Sequence, residues 1–148
     1  MKILSLAFLL FTLASSSFAQ EKDDKNEHKK NVLVPNAVKM AFSKEYPGEK
    51  GTWEKEKNQY EVNFKQNGNS ISALYDVNGN KRETETEIMT SGLPASAATY
   101  IATHYKGRKI REVSMITRSD GEVNYEAEVS GRDLIFNKEG KYLRTAKN

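Results

Sequence analysis

The 148-residue sequence contains no cysteine, three prolines, one tryptophan and two histidines. Without cysteine there is no disulfide, no thiolate nucleophile and no thiolate ligand for a metal, so a folded state must rest on packing. The histidines, His28 and His104, leave little material for histidine-dependent catalysis. No H-E-x-x-H zinc spacing, no G-x-x-x-x-G-K phosphate loop and no G-x-S-x-G nucleophile turn occurs. Gly48-x-x-Gly51 follows a helical pattern, whereas a phosphate cradle precedes its helix. The expectation is a non-enzyme with no cofactor and no dedicated metal site.

Long runs of one charge are also missing. Lys and Arg total 23 against 20 Asp and Glu, a net charge of +3, and the two signs interleave throughout. Such mixing argues against a dedicated nucleic-acid surface. Only one long apolar run exists, Ile3 to Leu13, preceded by Lys2 and followed by Ser15-Ser16-Ser17-Phe18-Ala19. That is the pattern of a secretory signal, with cleavage expected before Gln20. No later stretch approaches the roughly 20 apolar residues of a membrane helix. No cysteine follows the run to carry a lipid anchor. Residues 1–19 are therefore expected to be a signal peptide, with a periplasmic or secreted location and no membrane span after its removal. Glu21 to Asn31 has no apolar residue, so residues 20–31 are expected to be a disordered tether.

What is present after the tether is a repetition. Val34-Pro35 recurs as Leu93-Pro94, and Tyr46-Pro47-Gly48 as Tyr105-Lys106-Gly107, both 59 residues later. Tyr60-Glu61-Val62 recurs as Tyr125-Glu126-Ala127 at an offset of 65. Leu74-Tyr75-Asp76 with Gly79 recurs as Ile135-Phe136-Asn137 with Gly140 at an offset of 61. The order is kept while the spacing drifts, as expected when length changes fall in connections. The folded part thus divides into residues 32–90 and 91–148.

Each copy opens with a helix. Val34, Ala37, Val38, Ala41 and Phe42 fall at helical spacing in the first; Leu93, Ala97, Ile101 and Tyr105 do so in the second, with Ala98 widening the stripe. Pro47-Gly48 and Gly107 end the two helices. Alternating strands follow. Tyr60, Val62 and Phe64 lead to an Asn67-Gly68 hairpin and to Ile71, Ala73 and Tyr75. Asp76 to Gly79 turns the chain into Glu83 to Ile88. Val113 and Met115, then Val123 to Val129, Leu134 to Phe136 and Tyr142 to Thr145 repeat the scheme, with turns at Ser119 to Gly121, Gly131 and Asn137 to Gly140. Trp53 starts the first strand, but Lys55 and Lys57 fall on its side, which requires a bulge or an edge position. The fold class is α+β, a tandem duplication of a helix plus a four-stranded antiparallel sheet, with the helices on one side of an extended sheet.

Val34-Pro35-x-Ala37-Val38, Phe42, Tyr46-Pro47-Gly48, Trp53, Tyr60-Glu61-Val62-x-Phe64, Asp76-x-x-Gly79 and Leu93-Pro94 together resemble the PepSY-like proteins. These are small exported proteins of Bacteroidetes-type bacteria, also described as β-lactamase-inhibitor-like. The resemblance covers Val32 to Leu143. The second copy departs from it, with no tryptophan after Gly107 and Lys106 in place of proline. It implies the tandem fold, an exported location and an association with binding or inhibiting other proteins. It carries over no catalytic residue.

Among candidate sites the strand Glu83, Glu85, Glu87 is the sharpest, since a spacing of two puts all three carboxylates on one face. It reads either as a patch for a basic partner or a weak divalent cation, or as a solvated face that blunts aggregation beside Lys81 and Arg82. Asp76-x-Asn78-Gly79 resembles the start of a calcium loop, but its hairpin setting favours a plain turn. Trp53, Tyr60, Tyr75 and Tyr125 read as core rather than as an exposed platform. His104, next to Tyr105, reads as a half-exposed helix residue. With the helices on one side, the other face of the sheet is expected to carry Glu61, Asn63, Glu83, Glu85, Glu87, Glu126 and Glu128. The functional expectation is an inhibitor-like envelope module that recognises a protein or peptide there. The alternative is a periplasmic carrier of a small ligand or divalent cation.

Overall fold

The protein, seen in a computed structural model, is described over residues 32–147. The expected signal peptide and tether lie outside the described residues. The order is α1 (Asn36–Glu45), β1 (Thr52–Glu56), β2 (Gln59–Gln66), β3 (Asn69–Asp76) and β4 (Lys81–Ile88). A 3-10 turn at Thr90–Gly92 leads into α2 (Ala95–His104), β5 (Ile110–Arg118), β6 (Val123–Val129), β7 (Arg132–Asn137) and β8 (Tyr142–Lys147). The eight strands form one antiparallel sheet in sequence order, so the expected tandem architecture is present as a continuous meander.

Continuity across the two copies comes from β4 and β5. Thr84 faces Thr117, Thr86 faces Met115 and Ile88 faces Val113, so the side-chain alternation set in the first copy runs unbroken into the second. Both helices consequently lie on the same face. Val34, Val38, Phe42 and Tyr46 pack on Tyr60, Val62, Phe64, Ala73 and Tyr75. Leu93, Ala97 and Ile101 pack on Val113, Ala127, Val129, Leu134 and Phe136. Volume is redistributed between equivalent positions. The cross-strand pair Val62–Ala73 becomes Ala127–Leu134, with the larger side chain moved to the partner strand. Phe42 is replaced by Ile101, and Tyr100 moves in, with its ring centroid 5.7 Å from Phe136 and 4.7 Å from Tyr142.

Several local expectations are sharpened or corrected. Trp53 sits on the edge strand β1, opposite Val62, and meets Phe42 edge-on at 5.5 Å. The edge position resolves the lysine conflict. Lys55 lies over the Tyr60 ring at 5.9 Å, while Lys57 falls in the β1–β2 turn with φ 54°. Ala98 does not widen the α2 stripe; it is exposed, and Tyr100 shares in the core instead. The prolines sit at the N-caps of the two helices. Pro35 and Pro94 have ψ 146° and 138°, and their carbonyls accept from Lys39 and Ala98 at 3.1 Å.

Equivalent turns lock sheet to helix in both copies. The Asp76 carboxylate accepts from the backbone N–H of Asn78 and Asn80 at 2.9 Å, and the Asn137 side chain accepts from Lys141 N–H at 2.8 Å. The glycines they enclose, Gly79 and Gly140, have φ 83° and 78° and press against the first turns of α1 and α2. A Cβ on Gly79 would meet the Ala37 carbonyl oxygen at 2.6 Å; one on Gly140 would meet the Ala97 nitrogen at 2.9 Å. Gly48 shares the left-handed conformation, at φ 85°, with open space around it. Gly48→Ala is therefore expected to cost about 1 kcal/mol, and Gly79→Ala about 2–4 kcal/mol because a backbone clash adds to the strain. Urea denaturation of the two variants checks this; equal losses would show that α1 does not rest on the Gly79 turn.

Candidate functional site

The face opposite the helices has no covering layer among the described residues. Its carboxylates stand mainly in four cross-strand rows. One runs Thr52, Asn63, Ser72, Glu85, Ile116, Asn124, Asn137. A second runs Glu54, Glu61, Leu74, Glu83, Arg118. The third is Glu87, Ser114, Glu126, Ile135, Arg144, and the fourth Glu112, Glu128, Asp133, Ala146. All seven residues expected on this face therefore share it. Carboxylates dominate, and Arg118 and Arg144 are the cations of these rows. The chain's positive net charge conceals this segregation.

The face is also more buried than an open sheet surface should be. Glu126 is 5 % exposed, Asp133 3 % and Ile116 7 %. Glu61 is buried as well, Glu83 and Glu85 are half-buried and Glu87 is exposed. The reading of Glu83, Glu85 and Glu87 as a solvated, aggregation-blunting face holds for exposed Glu87 and is corrected for Glu83 and Glu85. Their strand lies in the middle of the sheet, and Glu83 and Glu85 stand among apolar and carboxylate neighbours. A cavity of about 30 Å³, room for roughly one water, lies among Glu56, Glu61, Ser72, Leu74, Glu83 and Glu85.

Burial of like charges shifts their protonation. Desolvation chiefly pushes Glu61 up to about 7; a hydrogen bond from Ser72 opposes this, while Glu56, Glu54 and Glu83 add to it. Desolvation likewise raises Glu85, against a hydrogen bond from Ser114 and with repulsion from Glu61, Glu83 and Glu112. Glu126 is raised by burial, then by Glu85 and Asp133, with Arg144 opposing. Asp133 is pushed up to about 6 by burial and by Glu128. Ion pairs sit at the rim, where Arg118 reaches Glu83 at 3.4 Å and Arg111 reaches Glu128 at 3.0 Å. Glu61, Glu85 and Glu126 take part in neither.

Two amides in the Glu85 row carry buried atoms without a hydrogen-bond partner. Asn124 donates to Glu122 at 3.0 Å while its Oδ1 is unpartnered, and Asn63 Nδ2 is unpartnered in the same row. Sequence reasoning selected Asn63 but missed Ser72, Asn124, Ser114, Ile116, Glu112, Asp133 and Ile135. One signal was available. Leu134-Ile135-Phe136 is a continuous apolar run, the mark of a strand buried on both faces. Among the described residues no three acidic or histidine side chains converge to hold a metal ion. His104 lies on the helix side, its ring stacked on Tyr100 at 4.0 Å and its Nδ1 2.9 Å from the Tyr100 carbonyl.

A family model described as beta-lactamase-inhibitor-like, PepSY-like matches residues 20–80 and 58–144. Solved structures share the fold. One of a Bacteroides eggerthii protein described as periplasmic superposes with TM-score 0.70 at 19 % identity, over 77 % of this chain and 88 % of that one. One from Bacteroides uniformis gives 0.67 at 19 %, over 76 % and 88 %. A protein of Bacteroides fragilis described as BLIP-like gives 0.58 at 25 %, over 78 % and 87 %. No curated protein matches the sequence.

The raised carboxyls give stability a definite pH dependence. Each favours its protonated form in the folded state, so its contribution is complete below the ordinary carboxylate range and is lost as pH rises through the folded value. Asp76 behaves oppositely: hydrogen bonds from Asn80, then Asn78 and Arg82, hold it at about 2, so its contribution is lost only in strong acid. Between about pH 5 and pH 8 unfolding free energy is expected to fall by about 2–4 kcal/mol. Glu126→Gln should recover about 1–2 kcal/mol at pH 8 and nothing at pH 4. Urea titrations across pH check both; stability that rises from pH 5 to pH 8 would contradict the assignment.

Proposed function

This chain belongs to the PepSY-like family, and on that premise we propose that it is a non-catalytic binding module of the cell envelope, recognising a protein or peptide through its uncovered sheet face. The observation that carries this reading is the state of that face. It combines buried carboxylates, apolar Leu74, Ile116 and Ile135, and unpartnered amide atoms at Asn63 and Asn124, on a sheet braced from behind by two helices. A folded surface that keeps buried polar atoms unsatisfied bears a cost of about 1–3 kcal/mol for each, which a partner's groups would offset. Mixed apolar and hydrogen-bonding character suits recognition of polypeptide.

An envelope location is supported by the secretory pattern of residues 1–19 and by the periplasmic description of the Bacteroides eggerthii protein with the same fold. No helix of the described residues is long and apolar enough to cross a membrane. An inhibitor-like role draws on the family and on the BLIP-like description of the Bacteroides fragilis protein. The placement of His104 on the helix layer, remote from the carboxylate rows, supports a non-catalytic reading.

Site-specific photo-crosslinking in intact cells tests the proposal. A photoreactive residue at Leu74 or Glu87 is expected to yield a discrete polypeptide adduct, while one at exposed Met40 or Thr99 on the helices yields none. Glu83/Glu85/Glu87→Ala should abolish the adduct formed through Leu74. Adducts from the helix positions alone would assign binding to the other layer and overturn the reading.

A further inference from the structure

The outer face has a chemistry that selects among polypeptide partners. We propose that it takes a basic, extended segment of a partner protein, laid across the strands from Asn63 to Asn124, with lysine or arginine side chains over Glu85 and Glu126. The inference deepens the proposed function and rests on its choice of face.

Three observations point to this occupant. Positive charge is scarce on the face: Arg118 and Arg111 are engaged with Glu83 and Glu128 at the rim, and Arg144, two strands from Glu126, offsets the crowded carboxylates only in part. Carboxylates crowded together and withdrawn from water destabilise the free protein, and a cation delivered from outside relieves both the repulsion and the desolvation. Second, Asn124 is only 5 % exposed and its Oδ1 has no hydrogen-bond partner, although it stands in the same cross-strand row as Glu85. Asn63 Nδ2 is likewise buried and unpartnered toward the other end of that row. Rotation of either amide toward a bound main chain would give it what it lacks, an N–H for Asn124 and a carbonyl for Asn63. Four inter-strand steps separate β2 from β6, about 19 Å, the reach of about six extended residues.

The third observation separates a basic side chain from a bare cation. Ile116 lies between Glu85 and Asn124, and Ile135 beside Glu126, so apolar surface alternates with carboxylate along the face. Lysine and arginine bring an aliphatic stem for the former and a charged head for the latter. A divalent ion uses only converging oxygens, and no such convergence exists among the described residues.

The test is titration of the isotope-labelled purified protein with capped peptides of about six residues, followed by NMR. One alternates Lys or Arg with Ala; the others replace the basic residue by Glu or by Gln. The basic peptide is expected to shift the side-chain amide signals of Asn63 and Asn124 and to bind at least about tenfold more tightly than either control. Its affinity should fall several-fold between about 50 and about 300 mM salt. Glu85→Gln and Glu126→Gln, which remove repulsion and so fold readily, should each weaken it about tenfold. Asn124→Ala should weaken it without altering the salt dependence. Equal binding of the Gln peptide, or shifts from calcium chloride with none from the basic peptide, would overturn the inference. Photo-crosslinking through Leu74 would still report on the choice of face, so a wrong partner chemistry is distinguishable from a wrong surface.

Discussion

The pairing of β4 with β5 is the constraint on which the rest of the molecule depends. Side chains of a strand alternate with a period of two, so a register slip of one residue there would send every later side chain to the opposite face. With Thr84 opposite Thr117 and Ile88 opposite Val113, both apolar faces point the same way and both helices cover them. The other face is left as one surface spanning both copies. Neither copy alone carries the Glu85 row, which runs from Asn63 in the first to Asn124 in the second. Duplication has therefore produced a surface, and not only a larger core.

The two faces are stabilised by different physics. The helix side is held by apolar burial, with aromatic edge contacts such as Phe42 against Phe64 at 5.1 Å in the first copy and stacked rings such as Tyr100 and Tyr142 in the second. The outer side holds polar groups at low exposure with incomplete compensation. Ser72 and Ser114 each donate to a carboxylate, yet desolvation remains the leading influence on Glu61, Glu85 and Glu126. A core supplying several kcal/mol of stability can carry such a surface, and the same desolvation that weakens the free protein strengthens an incoming charge–charge contact. That cost falls on a scaffold whose backbone hydrogen bonding does not depend on the outer side chains.

Much of the architecture was legible because it depends on short-range pattern. Helical spacing at Val34, Val38 and Phe42, alternation at Tyr60, Val62 and Phe64, and the turn Asn67-Gly68, at φ 52° and 85°, each announce themselves locally. The misjudged details involve neighbours distant in sequence. Ala98 was placed in the α2 stripe because periodicity cannot tell that Tyr100 would be drawn in by Phe136 and Tyr142. The glutamates of β4 looked like a solvated outer face because sequence shows that they share a face, but not how deeply neighbouring strands bury it.

By itself, then, the order of residues determined the repeat, the helix-plus-four-strand unit, the hairpins and the polar character of one sheet face. Those properties follow from periodicity and from backbone preferences that act within a few residues. Tertiary structure alone decided the register in which β4 meets β5, that Glu61, Glu85 and Glu126 are withdrawn from water, and that Asn63 and Asn124 lie in one row with unpartnered atoms. Burial and electrostatic coupling depend on distances between residues far apart in the chain, and only the pairing of strands sets those distances.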